Sequence, residues 1–213
     1  MNWIIGTFAS SIGKKLVMAV TGLIFCSFLA VHLIGNLTIY LGKNSFNSYS
    51  DHLHSYGLIL NALELGLLAF ALIHIFFATI IYFENLRARP HGYVMKKGTG
   101  GETISSRTAP YTGLYILIFV IIHLIMFTFR DRSAHNVFEV VAGTFQNSLY
   151  IIFYVFSVIV VAFHVKHGLW SGFQTLGLNH PKYMPAIRII SLVFSLTVGV
   201  GLGSIPVFIA AIQ

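Results

Sequence analysis

The sequence predicts an all-α integral membrane protein: one domain, a bundle of five transmembrane helices, with the N-terminus in the cytoplasm and the C-terminus outside. Three observations carry this. The 213 residues are 56% hydrophobic and only 9% charged, where a soluble domain is nearer a quarter charged. The apolar runs last about twenty residues or longer, the length an α-helix needs to cross a bilayer; strands of a membrane barrel would alternate over about ten. The basic residues gather at alternate ends of these runs, which sets orientation.

Residues 1–13 (MNWIIGTFASSIG) hold Trp3, Ile4, Ile5 and Phe8 among few polar groups. An interfacial amphipathic segment and a frayed terminus both fit. Lys14 and Lys15 precede an uncharged run from Leu16 to Gly42. It is too long for the core of a signal peptide and shows no convincing cleavage site, so it is expected to stay as a span. This first span, residues 16–41, carries His32, with Gly35 one turn on where a close approach is possible. It also holds the single cysteine, Cys26, expected to be a small packing residue. With one cysteine there is no internal disulfide and no C-x-x-C-H haem-attachment motif.

Residues 43–55 (KNSFNSYSDHLHS) read as a polar, solvated loop, and His52 and His54 are too few ligands for a metal site. The second span, residues 56–82, carries His74 and also Glu64, the one carboxylate within the depth of a span. Glu64 fits either a residue near the boundary reaching water or a proton donor and acceptor for a substrate in the membrane. A basic loop from Glu84 to Arg107 follows, with Arg87, Arg89, Lys96 and Lys97; Pro90 and several glycines break it, and it suits anionic lipid or a partner protein. The third span, residues 108–129, carries His123. The fourth, residues 146–177, carries His164 in an uncharged stretch, then His167 and Trp170. The fifth, residues 185–212, has no histidine; Gly199, Gly201, Gly203 and Pro206 point to close packing and a possible kink. Trp3 and Trp170 suit an interfacial aromatic belt. His91, His135 and His180 fall in loops. No clear repeat is evident along the chain.

Ten basic residues (Lys14, Lys15, Arg87, Arg89, Lys96, Lys97, Arg107, Lys166, Lys182 and Arg188) fall on one side and three (Lys43, Arg130 and Arg132) on the other. The crowded side is read as cytoplasmic. Counting ~1.5 Å per residue then sorts the buried histidines into two levels, His32 with His123 in the outer half and His74 with His164 towards the cytoplasm. The levels are expected to differ by roughly 10–15 Å. An imidazole inside a span is costly and usually has a partner and a task. Histidines can simply hydrogen-bond between helices, but two matched pairs are harder to explain that way. Zinc would want further ligands that no Cys, Asp or Glu supplies. Two imidazoles from two helices at one depth are what a six-coordinate haem iron requires. His164 is preferred over His167 because its neighbours are apolar; His167 remains an alternative ligand or a partner for a haem propionate or water.

The stretch KKLVMAVTGLIFCSFLAVHLIGN, the second span with His74, and HVKHGLW beginning at His164 resemble the di-haem cytochrome b membrane anchor of succinate dehydrogenases and quinol:fumarate reductases, the single-subunit, five-helix kind. The resemblance covers essentially the whole chain. It implies two haem b groups, a proximal one on His74 and His164 and a distal one on His32 and His123. It implies an iron–sulphur subunit and an FAD-bearing flavoprotein subunit on the cytoplasmic face, where succinate and fumarate interconvert. It implies electron exchange with quinone, menaquinone by expectation, in the inner (cytoplasmic) membrane of a respiratory chain. In one member of that family a carboxylate near the distal haem serves quinol oxidation, and Glu64 lies at suitable depth for such a role. Family carboxylates beside the fourth-span histidine have no counterpart among Ala162, Phe163, Val165 and Lys166. The competing readings are the cytochrome b anchor of a hydrogenase or formate dehydrogenase and, from another class, a histidine-lined transporter.

Overall fold

The computed structural model describes residues 6–7, 10–88, 104–130 and 136–212. Trp3, Arg89, His91, Lys96, Lys97, Arg132 and His135, named above from the sequence, lie outside these residues, as does most of the N-terminal amphipathic stretch. Every regular element among the described residues is helical. The five long helices are α1 (Ser11–Leu37), α3 (Leu58–Arg87), α4 (Ile104–His123), α6 (Ser148–Thr175) and α7 (Met184–Ala211). All five are long and apolar enough to cross a membrane. Two short helices, α2 (Lys43–Ser55) and α5 (Val137–Thr144), fill the connections α1–α3 and α4–α6.

The spans match the sequence expectation with shifted ends. The helix α1 begins at Ser11 rather than Leu16, because Ser10 caps it by accepting a hydrogen bond from the Gly13 amide at 3.1 Å. Likewise α3 runs on to Arg87 and α4 starts at Ile104, since a helix need not stop where its apolar stretch stops. After His123 the helix widens into one π-type turn, Leu124–Thr128.

The solvated loop expected at residues 43–55 is instead the helix α2. Its polar composition conceals one inward face: Phe46 and Ser50 are buried four residues apart, and Tyr49 lies over Gly35 of α1, where a Cβ would sit 2.5 Å from the Tyr49 hydroxyl oxygen. Glycines with positive φ bracket it, Gly42 at 99° and Gly57 at 48°. The segment after the third span likewise contains α5, capped by Asn136. The two short helices meet: Lys43 pairs with Glu139 at 2.8 Å, and Asn47 Oδ1 accepts from the Phe138 amide at 3.0 Å.

The long helices pack in a simple order. α1 and α6 lie side by side, α3 packs on α1, α4 packs on α6, and α7 packs on both α1 and α6. Small residues let α7 approach closely. A Cβ on Gly199 would lie 3.1 Å from that of Ala162, and one on Gly201 would lie 2.6 Å from Leu33 Cδ1. Ser157, Ser191 and Ser195 are buried there, and each hydroxyl donates to a carbonyl of its own helix, so these three hydroxyls are satisfied inside the bundle. The helix α7 continues through Pro206 to Ala211. By contrast α3 has no buried residue. At the basic end of the bundle Lys14 pairs with Glu84, tying the start of α1 to the end of α3, and the Arg188 guanidinium lies 5.1 Å over the Trp170 ring. α2 and α5 close the opposite end.

Candidate functional site: two levels of paired histidines

His32 of α1 and His123 of α4 come together, their ring centroids 5.9 Å apart and their planes at 79°. Both are half-buried. Aromatic faces surround them. Phe28 stacks on His32 at 5.3 Å, while Phe119, Phe127 and Tyr154 lie 5.8, 5.2 and 6.0 Å from His123. The Nδ1 of His123 is buried with no hydrogen-bond partner.

His74 of α3 and His164 of α6 are placed at the other level by their contacts with α1 and α4. Their support differs. Thr21 Oγ1 of α1 is 2.9 Å from His74 Nδ1, and Thr112 Oγ1 of α4 is 3.0 Å from His164 Nδ1. A glycine follows each threonine: a Cβ on Gly22 would lie 3.5 Å from His74 Cε1, and one on Gly113 would lie 3.4 Å from His164 Cε1.

These contacts set the spacing of the levels. Thr21 marks the depth of His74 on α1, and His32 lies eleven residues further along that helix. Thr112 marks the depth of His164 on α4, and His123 is again eleven residues on. Both rulers give about 16 Å along the helix, slightly beyond the separation counted from the sequence. Each pair also reaches across two helices, α1 to α4 and α3 to α6, that are not among the extensively packed ones.

The element order brings out a repeat that sequence reading did not see. The unit long helix, short helix, long helix occurs twice, α1–α2–α3 and α4–α5–α6. Thr-Gly at 21–22 with His32 recurs as Thr-Gly at 112–113 with His123. The signal escaped sequence reading because only the threonine, the glycine and the histidines repeat, within apolar residues that any span would carry. Thr21, Gly22, Thr112 and Gly113 are the site residues that sequence reading missed.

The other candidates lie apart. Glu64 is exposed on α3 and takes part in neither ion pair seen among the described residues. It precedes His74 by ten residues, about 15 Å along the helix, close to the depth of the His32–His123 pair. His167 meets the Trp170 ring edge-on at 5.3 Å, and its buried Nδ1 has no partner. His52 and His54 sit in the last turn of α2. His180 Nδ1 accepts from the Lys182 amide at 3.2 Å. Cys26 is buried against Val161, Val165 and Leu169, as a packing residue would be.

The separation of His32 and His123 is one that a haem iron between them would allow. Among the described residues no three His, Cys, Asp or Glu side chains converge on one point, but an iron that takes four nitrogens from its macrocycle needs only two from the protein. Two imidazoles on opposite sides of one ion, with metal–nitrogen bonds of about 2 Å, place their ring centroids about 6 Å apart, close to the 5.9 Å between His32 and His123. No protein-family model, curated protein or solved structure matches this chain.

Proposed function

We propose that this chain is the membrane-anchor cytochrome b subunit of a succinate:quinone oxidoreductase or quinol:fumarate reductase, carrying two haem b groups. The observation that carries the reading is the pair of histidine levels, two imidazoles each from different helices, stacked about 16 Å apart along the bundle. His74 and His164 would hold the proximal haem, and His32 and His123 the distal one. A haem with two imidazole ligands has no open site and passes single electrons, at a potential set by ligands, burial and nearby charge.

The chain's own residues supply the rest. Phe28, Phe119, Phe127 and Tyr154 exclude water at the distal level. The basic end, with Lys14, Lys15, Arg87, Arg107, Lys166, Lys182 and Arg188, is the cytoplasmic side by the positive-inside rule. It receives the iron–sulphur subunit, which links this anchor to the flavoprotein where succinate and fumarate interconvert. Menaquinone or menaquinol exchanges electrons with the chain inside the membrane. Glu64, exposed near the distal depth, moves a proton to or from that quinone. Replacing it with Gln is expected to slow quinone turnover while both haems stay bound; unchanged turnover would remove Glu64 from the mechanism.

The test is a reduced-minus-oxidised spectrum of the purified chain with haem counted per polypeptide. Two low-spin b haems are expected. A chain purified from haem-replete cells with no haem would overturn the reading. Transport by a histidine-lined path would then lead, although the repeat seen here is parallel and its helices unbroken, whereas the expected transporter signature is an inverted repeat with broken helices.

A further inference from the structure

Thr21 and Thr112 are the same residue in the two halves of the repeat, and each does the same thing to a histidine on the next long helix. A threonine hydroxyl has one proton. Thr21 Oγ1 lies 2.8 Å from the Val17 carbonyl oxygen and 3.2 Å from that of Met18. Thr112 Oγ1 lies 3.1 Å from both the Thr108 and the Ala109 carbonyl oxygens. The proton therefore goes to the helix backbone, and the oxygen turns a lone pair to the ring. A hydroxyl oxygen whose proton is given to the backbone can only accept from the ring, so the facing ring nitrogen carries the proton.

We propose that Thr21 and Thr112 are positioning residues that hold His74 and His164 in the tautomer with the proton on Nδ1, leaving each Nε2 as a bare lone pair aimed at a shared metal centre. The inference rests on the reading of this level as a haem site. It extends that reading by making the two levels chemically unequal, since His123 Nδ1 meets no acceptor. A metal-bound histidine whose other N–H donates to a fixed acceptor is a more basic ligand and is held in orientation. More basic axial ligands favour the ferric iron, so the threonines lower the potential of the haem at their own level. Gly22 and Gly113 fit the same role, for each lets the ring edge lie against the helix beside its threonine.

The test uses the full chain with Thr21→Val, Thr112→Val and the conservative Thr21→Ser. Valine keeps the volume and removes the acceptor. Each valine variant is expected to raise the midpoint potential of one haem, the one that His74→Ala removes, and to change its low-spin resonance signal. That haem should also dissociate about 10–100-fold more readily. The other haem serves as the folding control and should not change, and Thr21→Ser should restore the wild-type potential. Unchanged potentials in both valine variants would overturn the proposal. So would equal shifts at both haems, which a loosened fold would give. If the wild-type chain carries no haem, the haem reading fails first and the threonine role is judged separately by nitrogen NMR of 15N-histidine-labelled chain in lipid. Protons on Nδ1 of His74 and His164 would uphold it, and protons on Nε2 would reject it.

Discussion

At the level nearer the basic end, each histidine leans on a threonine hydroxyl of the neighbouring helix. At the other level His32 and His123 lean on rings, and the neighbouring polar contact, Asn36 donating to the His32 carbonyl at 2.8 Å, concerns the backbone rather than the imidazole. Helix pairing explains the difference. Thr21 and Thr112 sit on helices that pack directly on the histidine-bearing one, so a short side chain bridges the gap. The π-turn after His123 and the aromatic shell around Tyr154 instead place bulk where a small polar acceptor would have to reach. One repeated framework thus carries two unlike sites: one fixed by hydrogen bonds, the other by packing.

The largest expected effect breaks the comparison outright. Removing an axial imidazole at one level should remove one haem and spare the other. His74→Ala or His164→Ala should leave the haem of the His32–His123 level, and His32→Ala or His123→Ala the reverse, read by pyridine haemochrome count and spectrum. Retention of two haems in any of the four variants would dissolve the pairing. His167→Ala should keep both haems, because His167 lies one turn from His164 and faces Trp170.

A second perturbation acts through packing alone. Tyr49 of α2 covers Gly35, and even a methyl group there would sit 2.5–2.6 Å from the Tyr49 ring and hydroxyl. Overpacking of this kind costs about 1–3 kcal/mol. Gly35→Leu should lower the melting temperature and loosen the His32–His123 level before the other, because Gly35 lies one turn from His32. Adding Tyr49→Ala should recover part of the loss. A double variant as unstable as Gly35→Leu would show that the tyrosine is not the obstacle.

These contrasts mark how far the sequence could be read. The five spans were legible because each is a long apolar run flanked by charge. The meeting of His32 and His123 was legible because a helix converts residue count into depth. The helix α2 was not, since KNSFNSYSDHLHS reads as polar when only Phe46, Tyr49 and Ser50 face inward. Nor were the threonines: a threonine inside a span ordinarily satisfies its hydroxyl on its own backbone, as Thr21 and Thr112 do, and its second contact depends on which helix lies alongside. The repeat was hidden for a related reason, because few positions had to be kept for the second half to reproduce the geometry of the first.

The smallest expected effect concerns the lid of the packed level, where α2 meets α5. The Lys43 ammonium hydrogen-bonded to Glu139 holds that carboxyl below its ordinary value, helped by the Asn136 side chain and amide at the start of α5. A group whose value is depressed on folding contributes stability above its unfolded value and loses it as pH falls through the folded one. The α2–α5 contact should therefore be intact at neutral pH and weaken only in acid, below the ordinary glutamate range. Both side chains are largely open to solvent, at 48% and 41%, so the effect should be slight and fade with added salt. Amide-exchange protection of α2, compared between neutral and acid pH, is the measurement. Glu139→Gln should flatten that difference without touching the His74–His164 level. An acid response that survives in the Gln variant would move the cause elsewhere, and Asn47, which holds the Phe138 amide without any charge, would be left as the main tether of the lid.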